Sequence, residues 1–330
     1  MQAFEYARPK TAKDAVKLLS SNPNDAELLA GGSDLLDRMK DDVSAPKRVV
    51  SLADARDLRG IEYKPATGLR IGAMTTLEEL GADAQVRRHY AALAQAVEDI
   101  AGPQIRNVGT VGGNLCQRPR CWYYRAGYGL LAMHNGKPLV PDGDNRYHAI
   151  LGNAGPAYFV SPSSLAPALI AFGAKLRLLG PKGAREMPVD KFFVIPRAEG
   201  EREHALKSDE IISEVLVPPS NGARSGFYEI RQKESMDWAL GIAAVALHMK
   251  GQTVERARVV MGQVAPIPWP SPEAEQELMG KTISEEVADA AGQAAVSKAA
   301  PLNRNGYKVQ LARVAVKRAI LRAAGAMKEA

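Results

Sequence analysis

Two glycine-rich stretches are the parts of this chain best suited to chemistry: AGGSDLL at Ala30 to Leu36 and GTVGGNL at Gly109 to Leu115. Glycine adopts positive φ without a Cβ penalty and lets a ligand approach the backbone, so successive amide hydrogens can converge on an anion such as a pyrophosphate. Ser33, Asp34, Thr110 and Asn114 place side-chain donors and acceptors beside those amides. For either stretch alone, a tight turn is the plain alternative. Neither fits G-x-G-x-x-G opening a helix after the first strand, nor G-x-x-x-x-G-K-[ST], so a Rossmann site and a P-loop NTPase are disfavoured.

The other reactive residue types offer less. Cys116 and Cys121 are the only cysteines in 330 residues, and two thiols cannot staple a secreted scaffold or supply the four thiolates of a structural zinc or a cubane cluster. The five histidines, at 89, 134, 148, 204 and 248, form no H-E-x-x-H or related spacing, and no metal site is expected. No G-x-S-x-G marks a hydrolase, and no pair of titratable residues nominates a general base, so no catalytic residue is assigned. Arg106, Arg118, Arg120 and Arg125 are read as gathering round cofactor phosphates or facing a partner, with solvated loop charges as the bland reading of the last three. Trp122, Tyr123 and Tyr124 read as buried loop anchors in contact with a partner.

These residues need elements to position them. TAKDAVKLLSS predicts a first helix capped by Thr11, AELLAGG and RVVSL predict strands, and GLRIGAMT predicts another strand, followed by a capping box from Thr76 to Glu79. A helix through AALAQAVEDIA ends at Gly102 and Pro103. Gln104 to Leu115 reads as a strand broken by a tight loop, because its glycines are too dense for a helix, so each glycine loop is expected to follow a strand. Cys116 to Gly155 reads as a long loop insertion. Beyond it, AYFVSP predicts a buried strand, Ser164 to Phe172 a short helix, and KLRLLGP and EIISEVLVPP two strands. After the turn formers at Ser220 to Gly226, three strands and three helices are expected, with Pro266, Pro268 and Pro270 barring a further central strand. The expected divisions are 1–60, 61–220 with the insertion 116–155, and 221–330, in an α+β fold.

Composition limits the functional classes. Apolar residues make up 46% of the chain and charged residues 24%, which excludes a disordered protein. The formal charge of +6 invites a nucleic-acid reading. From Pro301 onward, however, seven basic residues face one acidic residue on a helical pattern with an apolar stripe of Val309, Ala312, Val316 and Ile320. That pattern describes a solvated helix with a packed face, and no nucleic-acid partner is expected. No apolar run of about 18 residues predicts a membrane span, and MQAFEYARPK lacks the features of an export signal, so a cytoplasmic protein is expected.

Taken together, AGGSDLLDRMK and IRNVGTVGGNLCQRPRCWYYR resemble the flavin-binding medium subunit of molybdenum hydroxylases, the group containing xanthine dehydrogenase, carbon monoxide dehydrogenase and 4-hydroxybenzoyl-CoA reductase. The resemblance continues through SPSSLAPALIA, DEIISEVLVP and ESMDWALGIAAVAL, and the CQRPRCWYYR variant is most similar to the separate flavin subunits of bacterial aldehyde oxidoreductases. It implies a two-subdomain FAD-binding fold of the vanillyl-alcohol-oxidase and p-cresol-methylhydroxylase type, followed by a C-terminal domain. It also implies noncovalent FAD held by Ala30, Gly31, Gly32, Ser33, Asp34 and Leu35 in one loop and by Thr110, Gly112, Gly113 and Asn114 in the other, with Ile105 and Arg106 nearby. At Ser164 the family commonly has an aspartate that approaches the flavin; serine is shorter and uncharged. Some relatives bind a 4Fe-4S cluster after the second loop. Here Cys121 stands where the first ligand would be, but the following segment has no cysteine, which implies that the loop is kept and the ligands are lost. The implied function is electron relay between a small subunit with two 2Fe-2S clusters and a final acceptor, beside a large molybdenum-cofactor subunit. A self-sufficient flavin oxidase of the same fold and a basic scaffold protein are the alternatives.

Overall fold

The computed structural model describes residues 1–98, 100–233 and 237–327. Glu234 to Met236, which open the ESMDWALGIAAVAL stretch, lie outside the described residues.

The N-terminal sheet is parallel, with Arg48–Ser51 between Glu5–Ala7 and Ala26–Leu29. Parallel neighbours need crossovers, and the helices Ala12–Lys17 and Leu35–Lys40 supply them. Thr11 caps the first helix as its spacing predicts, its hydroxyl accepting the Asp14 amide at 3.1 Å. The strand Glu5–Ala7 was not anticipated; it is short and largely exposed, so no buried alternation marks it.

A second, antiparallel sheet runs in the order Ile61–Lys64, Gly68–Gly72, Ile211–Val217, Lys175–Gly180, Gly183–Pro188. Thr76 and Glu79 form the expected capping box at the head of the helix Leu77–Ala82. One expectation fails in this region. AYFVSP is mostly buried but joins no ladder, because the prolines at 156 and 162 bracket it without backbone donors. Its contacts are single: Ala149 donates to the Tyr158 carbonyl and Ser161 to that of Ala265. The edge strand Gly183–Pro188, too polar and exposed to be read from pattern, is an addition.

The third sheet joins Arg224–Ile230, Gly241–Lys250 and Thr253–Gly262, with Trp269–Pro270 as a two-residue edge. Pro270 thus sits where a missing N–H is tolerated. The central strand has a core on each side, which explains its unbroken apolar sequence. Ile242, Ala244 and Ala246 pack with Leu93, Leu165 and Val215 of the middle region, whereas Ala243, Val245 and Leu247 pack with Ala312, Val316 and Ile320 of the helix Tyr307–Ala324. The helices Pro272–Leu278 and Glu285–Ala295 complete that layer. The fold is α+β, as expected, and no helix among the described residues is long and apolar enough to cross a membrane.

Candidate functional site: a cleft between two glycine stretches

The first stretch links the strand Ala26–Leu29 to the helix Leu35–Lys40. Gly32 has φ +83°, a conformation that disfavours any side chain. The amides of Gly31, Gly32, Ser33 and Asp34 donate to no acceptor among the described residues. Four successive free amides at the mouth of a helix make an anion-binding nest.

The second stretch differs from the expectation. It forms two short helices, Pro103–Val108 and Val111–Cys116, with Gly109 and Thr110 between them, and no strand precedes it. Pro103 starts the first helix, while the Thr110 hydroxyl accepts the Gly113 amide at 3.0 Å and starts the second. Tertiary contacts offset the poor helix propensity of the glycines. Gly112 donates to the Ala73 carbonyl at 2.8 Å, and a Cβ added there would lie 3.0 Å from that of Ala73. The two stretches also abut directly, since a Cβ on Gly31 would fall 2.0 Å from the Val108 carbonyl oxygen.

Between them opens a cleft of about 1240 Å³. Ala30, Gly31, Gly32, Ser33, Asp34, Leu35, Ile105, Thr110, Gly113, Asn114 and Ser164 all line it. Gly112 and Arg106 do not. Gly112 faces Ala73, and Arg106 ties its helix down by donating to Glu78 and to the Ala101 carbonyl, both at 2.9 Å. Asn114 is buried and accepts from the Ser163 hydroxyl at 2.7 Å.

Sequence reasoning left the arginines of the insertion open, and the structure gives them a definite role. Asp34 accepts from Arg120 and, at 2.7 Å, from Arg125, while the Arg118 amide donates to its other oxygen at 3.1 Å. Arg38, one turn along the helix, contacts Asp34 at 3.3 Å and Glu27 at 2.6 Å. Burial opposes ionisation of Asp34, but the surrounding guanidiniums prevail and hold its carboxyl at about 2. Arg120 also lies over the Trp238 ring, 4.7 Å from its centroid, and so connects the insertion to the C-terminal region. The i,i+4 spacing of Asp34 and Arg38 was the one local signal of this cluster.

The two cysteines sit apart in function. Cys116 lines the cleft, and burial pushes its thiol up to about 12. Cys121 lines a neighbouring cavity of about 180 Å³, its Sγ 3.1 Å from Nε2 of His148. Tyr124 is buried, and Trp122 meets Tyr147 and His148 edge-on, so these aromatics anchor the insertion.

Residues 2–220 match the family described as the FAD binding domain in molybdopterin dehydrogenase, and residues 226–323 match the CO dehydrogenase flavoprotein C-terminal domain. The chain belongs to this FAD-binding family. Among its relatives, the carbon monoxide dehydrogenase medium chain of Hydrogenophaga pseudoflava is 31% identical over 96% of each chain. The aldehyde oxidoreductase FAD-binding subunit PaoB of Escherichia coli (strain K12) is also 31% identical, over 95% of this chain and 96% of its own. The solved carbon monoxide dehydrogenase from Hydrogenophaga pseudoflava, in a form lacking the Mo-pyranopterin moiety, matches with a TM-score of 0.75 at 30% identity, covering 99% of both chains. As a member of this family, the protein is an FAD-binding component of an oxidoreductase. The cleft fits that cofactor: a nest of unpaired amides suits a pyrophosphate, and the volume exceeds the range of roughly 300–1,000 Å³ common for small-ligand sites.

Proposed function

We propose that this chain is the electron-relaying medium subunit of a molybdenum hydroxylase complex. The observation that carries the reading is the pairing of a full-length FAD-subunit match with a cleft that presents free amides at Gly31 to Asp34 and no nominated catalytic base. In this reading Ala30 to Leu35 hold the pyrophosphate. Thr110, Gly113 and Asn114 form the opposite wall, with Gly112 packing behind them and Ile105 and Ser164 at the margins. Arg106 supports that wall from outside. Bound flavin would supply electron uptake and release, and the chain's own residues bind it, orient it and tune its surroundings.

The partners are a large subunit carrying the molybdenum cofactor, where the substrate is oxidised, and a small subunit whose two 2Fe-2S clusters deliver electrons. The complex is cytoplasmic, and the divisions 1–60, 61–220 and 221–330 act as its N-terminal FAD subdomain, second FAD subdomain and C-terminal domain. Affinity-tagging the chain in its native host tests this: a large molybdenum subunit and a small iron-sulfur subunit should co-purify. Recovery of a yellow monomer that oxidises a small substrate unaided would overturn the relay reading.

A further inference from the structure

Five arginines line the cleft among the described residues: Arg38, Arg118, Arg120, Arg125 and Arg202. Four are matched to carboxylates. Arg38 pairs with Glu27, Arg120 and Arg125 with Asp34, and Arg118 with Glu203. The Arg202 guanidinium has no ion pair or hydrogen bond among the described residues, and its Nε is buried without an acceptor.

The carboxylates that act on it, Glu203 and Glu27, are each ion-paired with another arginine. Glu203 is buried and committed to Arg118, and Glu27 is committed to Arg38 and Ser44. The Cys116 thiol, pushed up to about 12, stays uncharged. Burial holds the neighbouring His204 down to about 4, so its imidazole is neutral as well. A desolvated cation without a counter-charge is destabilising unless a ligand supplies one.

We propose that Arg202 is an anion-receiving ligand of the flavin dinucleotide, its guanidinium taking up negative charge on the bound cofactor. This inference rests on the FAD cleft proposed above and adds a residue from outside both glycine stretches. Two parts of FAD carry that charge: the pyrophosphate, and the pyrimidine end of the ring system once it is reduced.

The test uses the full-length chain stripped of FAD, as wild type, Arg202→Lys and Arg202→Gln. Dissociation constants for FAD and for ADP, the flavin midpoint potential and the apoprotein melting temperature are measured. If the pyrophosphate is the partner, Arg202→Gln weakens FAD and ADP together by about tenfold or more and leaves the potential unchanged. If the ring is the partner, ADP binding is unchanged and the potential falls. Arg202→Lys, which keeps the charge without the fork, retains part of either effect. In both cases the apoprotein melts no lower than wild type, since only an unpaired cation has been removed. Unchanged constants and potential in Arg202→Gln, or an apoprotein that melts well below wild type, would overturn the proposal. A Gly32→Asp variant run alongside separates the two readings: if it keeps full FAD occupancy the cleft assignment itself fails, whereas silent Arg202 variants beside a flavin-free Gly32→Asp defeat this inference alone.

Discussion

Arg125 donates from Nη2 to Oδ1 of Asp34 at 2.7 Å, so residues 91 positions apart hold the insertion against the first glycine stretch. The same carboxylate oxygen receives Arg120, and Arg38 contacts the other oxygen, which makes Asp34 the shared anion of three guanidiniums. Replacing it with asparagine leaves those cations short of a partner. Asp34→Asn should cost about 3 kcal/mol, in the range for breaking a buried ion pair, and should open the segment after Cys116 to limited proteolysis. The folded-state value of about 2 lies below the ordinary 3.8. The carboxylate's contribution is therefore complete above about pH 4 and is lost as pH falls through about 2. Denaturant titrations from pH 2 to 6 should show wild type and variant converging at the acid end. A gap that stays constant down to pH 2 would rule out this account.

Gly31→Ala places a methyl group 2.0 Å from the Val108 carbonyl oxygen, a backbone atom that cannot rotate away. The variant should lose about 1–3 kcal/mol of stability and release FAD, because the two walls of the cleft must separate. Gly32→Asp acts differently, adding strain at positive φ and a negative charge beside the nest. It should abolish flavin retention with a smaller change in melting temperature. Absorbance near 450 nm and thermal melts, read on the same samples, distinguish the two; full flavin content in both would refute the placement.

Lys308 is buried in the helix Tyr307–Ala324, and its ammonium donates to the carbonyls of Tyr147, His148 and Gln263 at 3.1, 3.1 and 2.8 Å. Burial pulls it from 10.5 down to about 7. Between those values the unfolded chain binds the extra proton, so stability should rise as pH increases from about 7 towards 10.5. Lys308→Met should flatten that rise while being less stable overall, since three carbonyls lose their donor. Equal slopes for wild type and variant over this window would count against the assignment.

Iron and acid-labile sulfide should be absent from the anaerobically purified chain. The chain has only two cysteines, Cys116 lining the large cleft and Cys121 the smaller cavity beside His148, against the four thiolates a cubane needs. Four irons per chain would show that ligands other than cysteine, or a second chain, complete a cluster.

Where a signal was local, it was legible. Thr11 with Asp14 and Thr76 with Glu79 each mark a helix start within a few residues, and both cap as expected. The alternation of the strand Gly241–Lys250 is masked by two-sided burial, yet the turn at Lys250 to Gln252 that joins it to Thr253–Gly262 still marks a hairpin. The helices around Gly109 were not legible, because what stabilises them is the Ala73 and Thr75 carbonyls, more than 30 residues away. The arginine cluster was hidden for the same reason: its partners Asp34 and Glu203 lie far from Arg118, Arg120 and Arg125 in sequence.

Trp238 lies over Arg120 at the edge of a cleft whose remaining walls come from the parallel N-terminal sheet and the middle region. A ligand gripped by all three parts is also a fastener between them. Occupancy and domain cohesion then form one thermodynamic cycle, in which every tenfold excess of free FAD over its dissociation constant adds about 1.4 kcal/mol against separation of the parts. Flavin loss and loosening of the three parts are therefore coupled, each making the other easier.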